Sequence, residues 1–100
     1  MSPVKAVSPA PRSGWTFLTN HAHVLIALAR EPSVRVRDLA AVVGITERAV
    51  LQILSDLEDA KVLERSREGR RNVYRLNPKA DLRHPIEAAH HVDELLKLGR

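Results

Sequence analysis

The chain has no cysteine, so disulfides and thiolate metal sites are excluded and nothing ties it to an oxidising compartment. Aromatic residues are almost absent, Trp15, Phe17 and Tyr74 being all there are. Three rings cannot line an aromatic cofactor pocket or stack the bases of a single strand, whereas binding a duplex backbone needs none. No stretch approaches the roughly 18 apolar residues of a membrane-spanning helix, and no apolar run of signal length follows Lys5. The expectation is a soluble, cytoplasmic protein with no membrane partner. The chain also lacks a phosphate-cradling glycine loop, a histidine metal motif of catalytic type and a nucleophile signature, which argues against an enzyme. Nothing calls for a cofactor, and no internal repeat occurs.

What the sequence does have is enough apolar residues, 44% of 100, to close one small core from Leu, Val, Ile and Ala. It also carries a formal charge of +4. Twelve of its sixteen basic residues are Arg, which suits bidentate phosphate contact and which codon usage can also produce.

Residues 1–14, MSPVKAVSPAPRSG, hold three prolines and no helical or strand period, the composition of a flexible arm whose Lys5 and Arg12 are either solvated or near phosphate. Thr19 or Asn20 then caps a helix, apolar almost all round, that ends at Arg30-Glu31-Pro32. Val34 and Val36 alternate with polar neighbours over 33–37, which reads as a short strand. Asp38 opens a second helix closed by Gly44; Ile45 follows as an apolar plug, and Thr46 caps a third helix to Ala60. Two helices around Gly44-Ile45-Thr46 have helix-turn-helix spacing, shared with any small helical hairpin. Two alternating runs, Val62 to Arg67 and Asn72 to Leu76, flank a turn containing Gly69 and read as a β-hairpin. Pro85 can start a last helix, Ile86 to Leu98.

The run RDLAAVVGITERAVLQILSDLEDAKVLERSREGRRNVYRL resembles the winged helix-turn-helix regulators of the MarR and ArsR kind, in their "LA..LGIS...V...L..LE..G.." stretch and following wing. The likeness covers residues 17–76. It implies an α+β, mainly α fold: a three-helix core, a β-hairpin wing and a C-terminal helix. The division is a flexible arm over 1–14, a DNA-binding domain over 15–80 and a C-terminal helix over 81–100 that serves dimerisation. Two features depart from the family pattern. Lys61 stands where glycine usually ends the recognition helix in a left-handed conformation. The chain is also short for MarR, which leans towards a smaller, ArsR-like architecture.

On a helical wheel Ala49, Val50, Ile53, Leu54, Leu57 and Ala60 face inward, while Arg48, Leu51, Gln52, Ser55 and Asp59 face out. With helix 46–60 in a major groove, Arg48 can pair bidentately with guanine and Gln52 with adenine. Leu51 either meets a thymine methyl or lies under the wing. Thr46, Ser55 and Arg37 are candidates for the phosphate backbone, and Glu47 is expected to point aside or to pair with Arg48 or Arg37. Wing 63–76 would lie on the adjacent backbone or minor groove, with Arg65, Arg67, Arg70, Arg71 and Asn72 as its contacts. From Lys61 to Arg75, six cations against two carboxylates give a local excess equal to the net charge of the chain.

In the last helix Ala88, Ala89, Val92, Leu95 and Leu96 form one apolar stripe, which either closes the core or, as in similar regulators, makes a homodimer. His84, Glu87, His91 and Glu94 would share one strip of it, resembling the terminal-helix metal sites of some ArsR-like sensors. His21 and His23 read as solvated or capping residues. The resulting expectation is a sequence-specific regulator of double-stranded DNA at the nucleoid, a repressor by family likeness. An architectural DNA binder of low specificity and a winged-helix module that binds protein stand as alternatives. No ligand pocket is recognisable.

Overall fold

A computed structural model describes residues 14–99. The arm expected over 1–14 lies, apart from Gly14, outside the described residues. Helix α1, Asn20–Arg30, starts as expected, with Thr19 Oγ1 accepting the Ala22 N–H at 3.2 Å. It ends where Glu31 turns extended before Pro32. Helix α2 spans Val36–Val43 and closes on Gly44, whose φ of 86° is one an L side chain rarely adopts. Helix α3, Glu47–Asp59, is capped by Thr46 Oγ1, which accepts the Ala49 N–H at 3.0 Å.

The strand expected over 33–37 does not form. Val34 is a buried plug, Val36 is already the first residue of α2, and helix start therefore precedes Asp38 by two residues. A period of two over five residues cannot distinguish a strand from a plug followed by a helix. Among the described residues, the backbone tie from this stretch to the hairpin is the Tyr74 N–H donating to the Pro32 carbonyl at 3.0 Å.

Lys61 has a φ of 64° and is the one non-glycine residue at positive φ among those described. The Val62 N–H donates to the Leu57 carbonyl at 2.9 Å and the Lys61 N–H to the Glu58 carbonyl at 3.0 Å. This Schellman arrangement satisfies the last carbonyls of α3 and seats Val62 beside Leu57, both buried. The lysine thus occupies the position at which the sequence pattern expects glycine, at a cost of about 1 kcal/mol in left-handed strain. Lys61→Gly is accordingly expected to raise stability by up to about 1 kcal/mol, seen as a thermal midpoint higher by roughly 4–8 °C. An unchanged or lower midpoint would show that the bonds around Lys61 already offset the strain.

Strands β1, Leu63–Glu68, and β2, Arg71–Leu76, pair antiparallel from Leu63 opposite Leu76 to Glu68 opposite Arg71. The loop is Gly69-Arg70, with glycine at a φ of 65° in its first position, a tight hairpin connection that matches the twist of the strands.

The helix expected over 86–98 is reduced to α4, Asp93–Leu96, and a 3₁₀ turn, Lys97–Gly99. Upstream, the chain doubles back on itself: the Leu82 N–H donates to the His90 carbonyl at 3.0 Å and the Val92 N–H to the Ala80 carbonyl at 2.8 Å. These bonds, with a bridge between Asp81 and His91, take donors and acceptors that a continuous helix would need. The expected stripe is consequently split. Val92 and Leu96 enter the core against α1, while Ala88 and Ala89 are exposed. The core runs through Val24, Leu28, Leu39, Val50, Leu54 and Leu96, all fully buried, and no polar or charged residue is buried among those described.

Candidate nucleic-acid interface

Helix α3 is fixed from below by Val50, Ile53, Leu54 and Leu57, all buried, with Ala49 and Ala60 half-buried beside them. The wheel is therefore phased as expected, and Arg48, Leu51, Gln52 and Ser55 are exposed. Leu51 is 52% exposed, so the wing does not cover it and the reading that places it under the wing is set aside. Thr46 spends its hydroxyl oxygen on the helix cap. Glu47 is exposed and pairs with neither Arg48 nor Arg37 among the described residues. Arg37 is exposed on the first turn of α2.

Gln52 is not free. Its Nε2 donates to Asp56 Oδ1 at 3.0 Å, and the other carboxylate oxygen, Oδ2, lies 2.9 Å from His21 Nε2 on α1. The hydrogen bond from His21 and, after it, that from Gln52 hold the Asp56 carboxyl below its ordinary value of 3.8. His21 is exposed, as expected, and is also a partner of α3. Asp56 was not foreseen: its bond to Gln52, four residues away on one helix, was a signal the sequence offered, whereas its contact with His21, 35 positions away, was not.

The hairpin register divides the wing arginines. Leu63, Arg65 and Arg67 share a side with Leu76, Tyr74 and Asn72. Leu63 and Tyr74 are buried, so this side faces the core, and Arg65 pairs there with Glu58 of α3 at 3.7 Å. On the other side Arg71 stands opposite Glu68 and Arg75 opposite Glu64. Arg67, Arg70 and Arg71 are exposed and form no ion pair among the described residues.

A cleft of about 300 Å³ joins the hairpin tip to the start of α2, with Arg35, Arg70, Arg71 and Asn72 on its walls. Arg35 precedes the first turn of α2 without a side-chain cap bond. The charge argument that selected Arg37 applies equally to Arg35, whose place beside the wing depends on how α2 packs against the hairpin.

The four candidate metal ligands His84, Glu87, His91 and Glu94 do not assemble into a strip. His84 Nδ1 accepts the Ile86 N–H at 3.1 Å, His91 pairs with Asp81 at 3.2 Å and His90 with Glu94 at 2.7 Å. Without a helix between His84 and Val92 the spacing no longer places His84, Glu87, His91 and Glu94 on one face. No group of three or more histidines and carboxylates among the described residues is arranged to hold a metal ion. A cavity of about 490 Å³, unforeseen from the sequence, lies between α1, α3 and the C-terminal segment, lined among others by Leu25, Leu57, Val92, Asp56 and Arg83. No helix among the described residues is long and apolar enough to cross a membrane.

A family model described as MarR family matches residues 15–71. Two solved structures of ZitR from Lactococcus lactis are similar to the chain. The wild-type protein in complex with DNA superposes with a TM-score of 0.55 at 22% identity, over 92% of this chain and 64% of that one. The other, described as a zinc-responsive MarR family member, gives 0.53 at 24% identity, over 92% and 65%. The chain therefore spans slightly less than two thirds of the solved chains it matches. No curated protein matches it.

Proposed function

Because the chain belongs to the MarR family, we propose that it is a sequence-specific transcriptional regulator that binds double-stranded DNA with α3 in the major groove and the wing beside it. The observation that carries this reading is the exposed outward face of α3 together with a cluster of exposed arginines around the wing. Arg48 and Gln52 stand exposed on the first two turns of α3, and Arg35, Arg70 and Arg71 gather at the wing, none of them in an ion pair among the described residues. Arg48 and Gln52 read base edges; Leu51 is free to meet a thymine methyl. Arg35, Arg37, Ser55 and the wing residues Arg67, Arg70, Arg71 and Asn72 take backbone or minor-groove contacts, with Arg65 restrained by Glu58. Thr46 contributes through the α3 amino end it caps.

The ZitR complex supports the reading, as that protein was solved on DNA. The family likeness favours a repressor acting as a homodimer in the cytoplasm, at the nucleoid, with no catalytic role. Selection of bound duplexes from a random pool at near-physiological salt tests all of this together. The expected outcome is an enriched motif with two-fold symmetry, since a dimer repeats its half-site. An unsymmetric motif removes the dimer. Binding without enrichment makes the protein an architectural binder, and no binding at any salt turns the fold to protein partners.

A further inference from the structure

We infer that Asp56 is a specificity-determining residue that acts through Gln52: it fixes the side-chain amide in the orientation that reads adenine. The inference rests on the proposed placement of α3 in the major groove.

An ionised carboxylate has no hydrogen to donate. The end of the Gln52 amide that faces Asp56 Oδ1 at 3.0 Å must therefore be the nitrogen. One N–H is spent on that bond, and one acceptor, Oε1, and one donor, the second N–H, remain. Adenine presents N6–H as donor and N7 as acceptor in the major groove, the complement of that remaining pair. An exposed glutamine without such a tether would sample both amide orientations and several rotamers, and ordering it on binding would lower the discrimination gained.

Asp56 is itself held. His21 Nε2 lies 2.9 Å from Oδ2, so the carboxylate is gripped by Gln52 on one side and by α1 on the other. The pair joins the reading surface of α3 to the rigid helix beneath it. The arrangement also explains a carboxylate so close to a surface meant for a polyanion, since neutralising it would gain backbone affinity at the expense of base selection.

The test compares Asp56→Ala, Gln52→Ala and the double variant on the selected duplex and on the same duplex with the adenine facing Gln52 replaced. Alanine is a favourable residue at this half-exposed helical position, and thermal unfolding confirms that each variant is folded. Gln52→Ala is expected to lower the affinity ratio about tenfold, and Asp56→Ala by roughly three- to tenfold with no loss of affinity for unrelated DNA. In the Gln52→Ala background, Asp56→Ala should change the ratio no further. If Gln52→Ala lowers the ratio and Asp56→Ala does not, or lowers it equally in both backgrounds, the positioning role is overturned and the regulator reading stands. If Gln52→Ala has no effect, Gln52 is no base reader and the positioning role is overturned while the regulator reading stands; if no duplex is bound, both are overturned.

Discussion

Replacing Arg70 and Arg71 together with alanine is expected to flatten the dependence of log affinity on log salt by up to about 2 and to weaken every duplex about 60-fold at 0.1 M salt. Each phosphate neutralised on B-DNA releases counterions worth a slope of about 0.9, so two contacts give nearly 2, and their effect grows as salt is diluted. These two residues are chosen by the structure as well as by their charge. Arg70 is at the hairpin turn and Arg71 faces Glu68 across the strands, yet neither forms an ion pair among the described residues, and both line the cleft shared with Arg35. Arg65 provides the internal comparison. Its guanidinium is held by Glu58 at 3.7 Å on the core-facing side of the hairpin, so Arg65→Ala should flatten the slope by clearly less than half as much. Because Arg70 and Arg71 are exposed, the double variant should melt where the parent does, and base preference should be unchanged. Titrations at several salt concentrations decide the matter: an unaltered slope would mean that the wing charge is a solvated face.

The elements set by local chemistry were legible before any coordinates. Thr19 and Thr46 cap the helices that follow them, Gly44 supplies the left-handed turn, and Gly69 the hairpin loop, each through a side chain or a φ angle that acts within four residues. Lys61 was recognisable as an odd residue at a left-handed position from its place after α3, and it is left-handed. Prediction failed where distant pairing overrides local preference. Glu87 to Leu98 is composed largely of good helix formers, yet Leu82 and Val92 take their partners from His90 and Ala80 across a reversal of the chain. The same distance explains the site. Arg48 and the wing arginines follow from the wheel and the charge count, and the Gln52–Asp56 bond is a local pair four residues apart on α3, whereas the contact of Asp56 with His21 depends on how α1 crosses α3. Arg35 is as basic and exposed as Arg37, and only the packing of α2 beside the hairpin distinguishes it.

That reversal sets the second large expected effect. Leu96→Ala should destabilise the single chain by about 2–5 kcal/mol, lowering its thermal midpoint by roughly 8–40 °C or unfolding it outright. Leu96 is 1% exposed in the core beside Val24 and Leu28, and its neighbour Val92 is 3% exposed. The end of the chain is seated closely enough that a Cβ on Gly99 would overlap the Ile26 carbonyl. A small domain has few such residues to lose, so removing one large side chain costs a substantial part of its total stability. Leu98, 58% exposed, is the control, and Leu98→Ala should change the monomer's midpoint little. The two ideas about this segment predict different dependence on concentration. If Leu96 belonged to a dimer interface, Leu96→Ala would shift the midpoint most where the dimer is populated and hardly at all at high dilution. As part of the monomer's own core, it should cost the same at every concentration, and a homodimer would then have to form through other surfaces, such as those carrying the exposed Trp15, Phe17, Ile86 or Leu98.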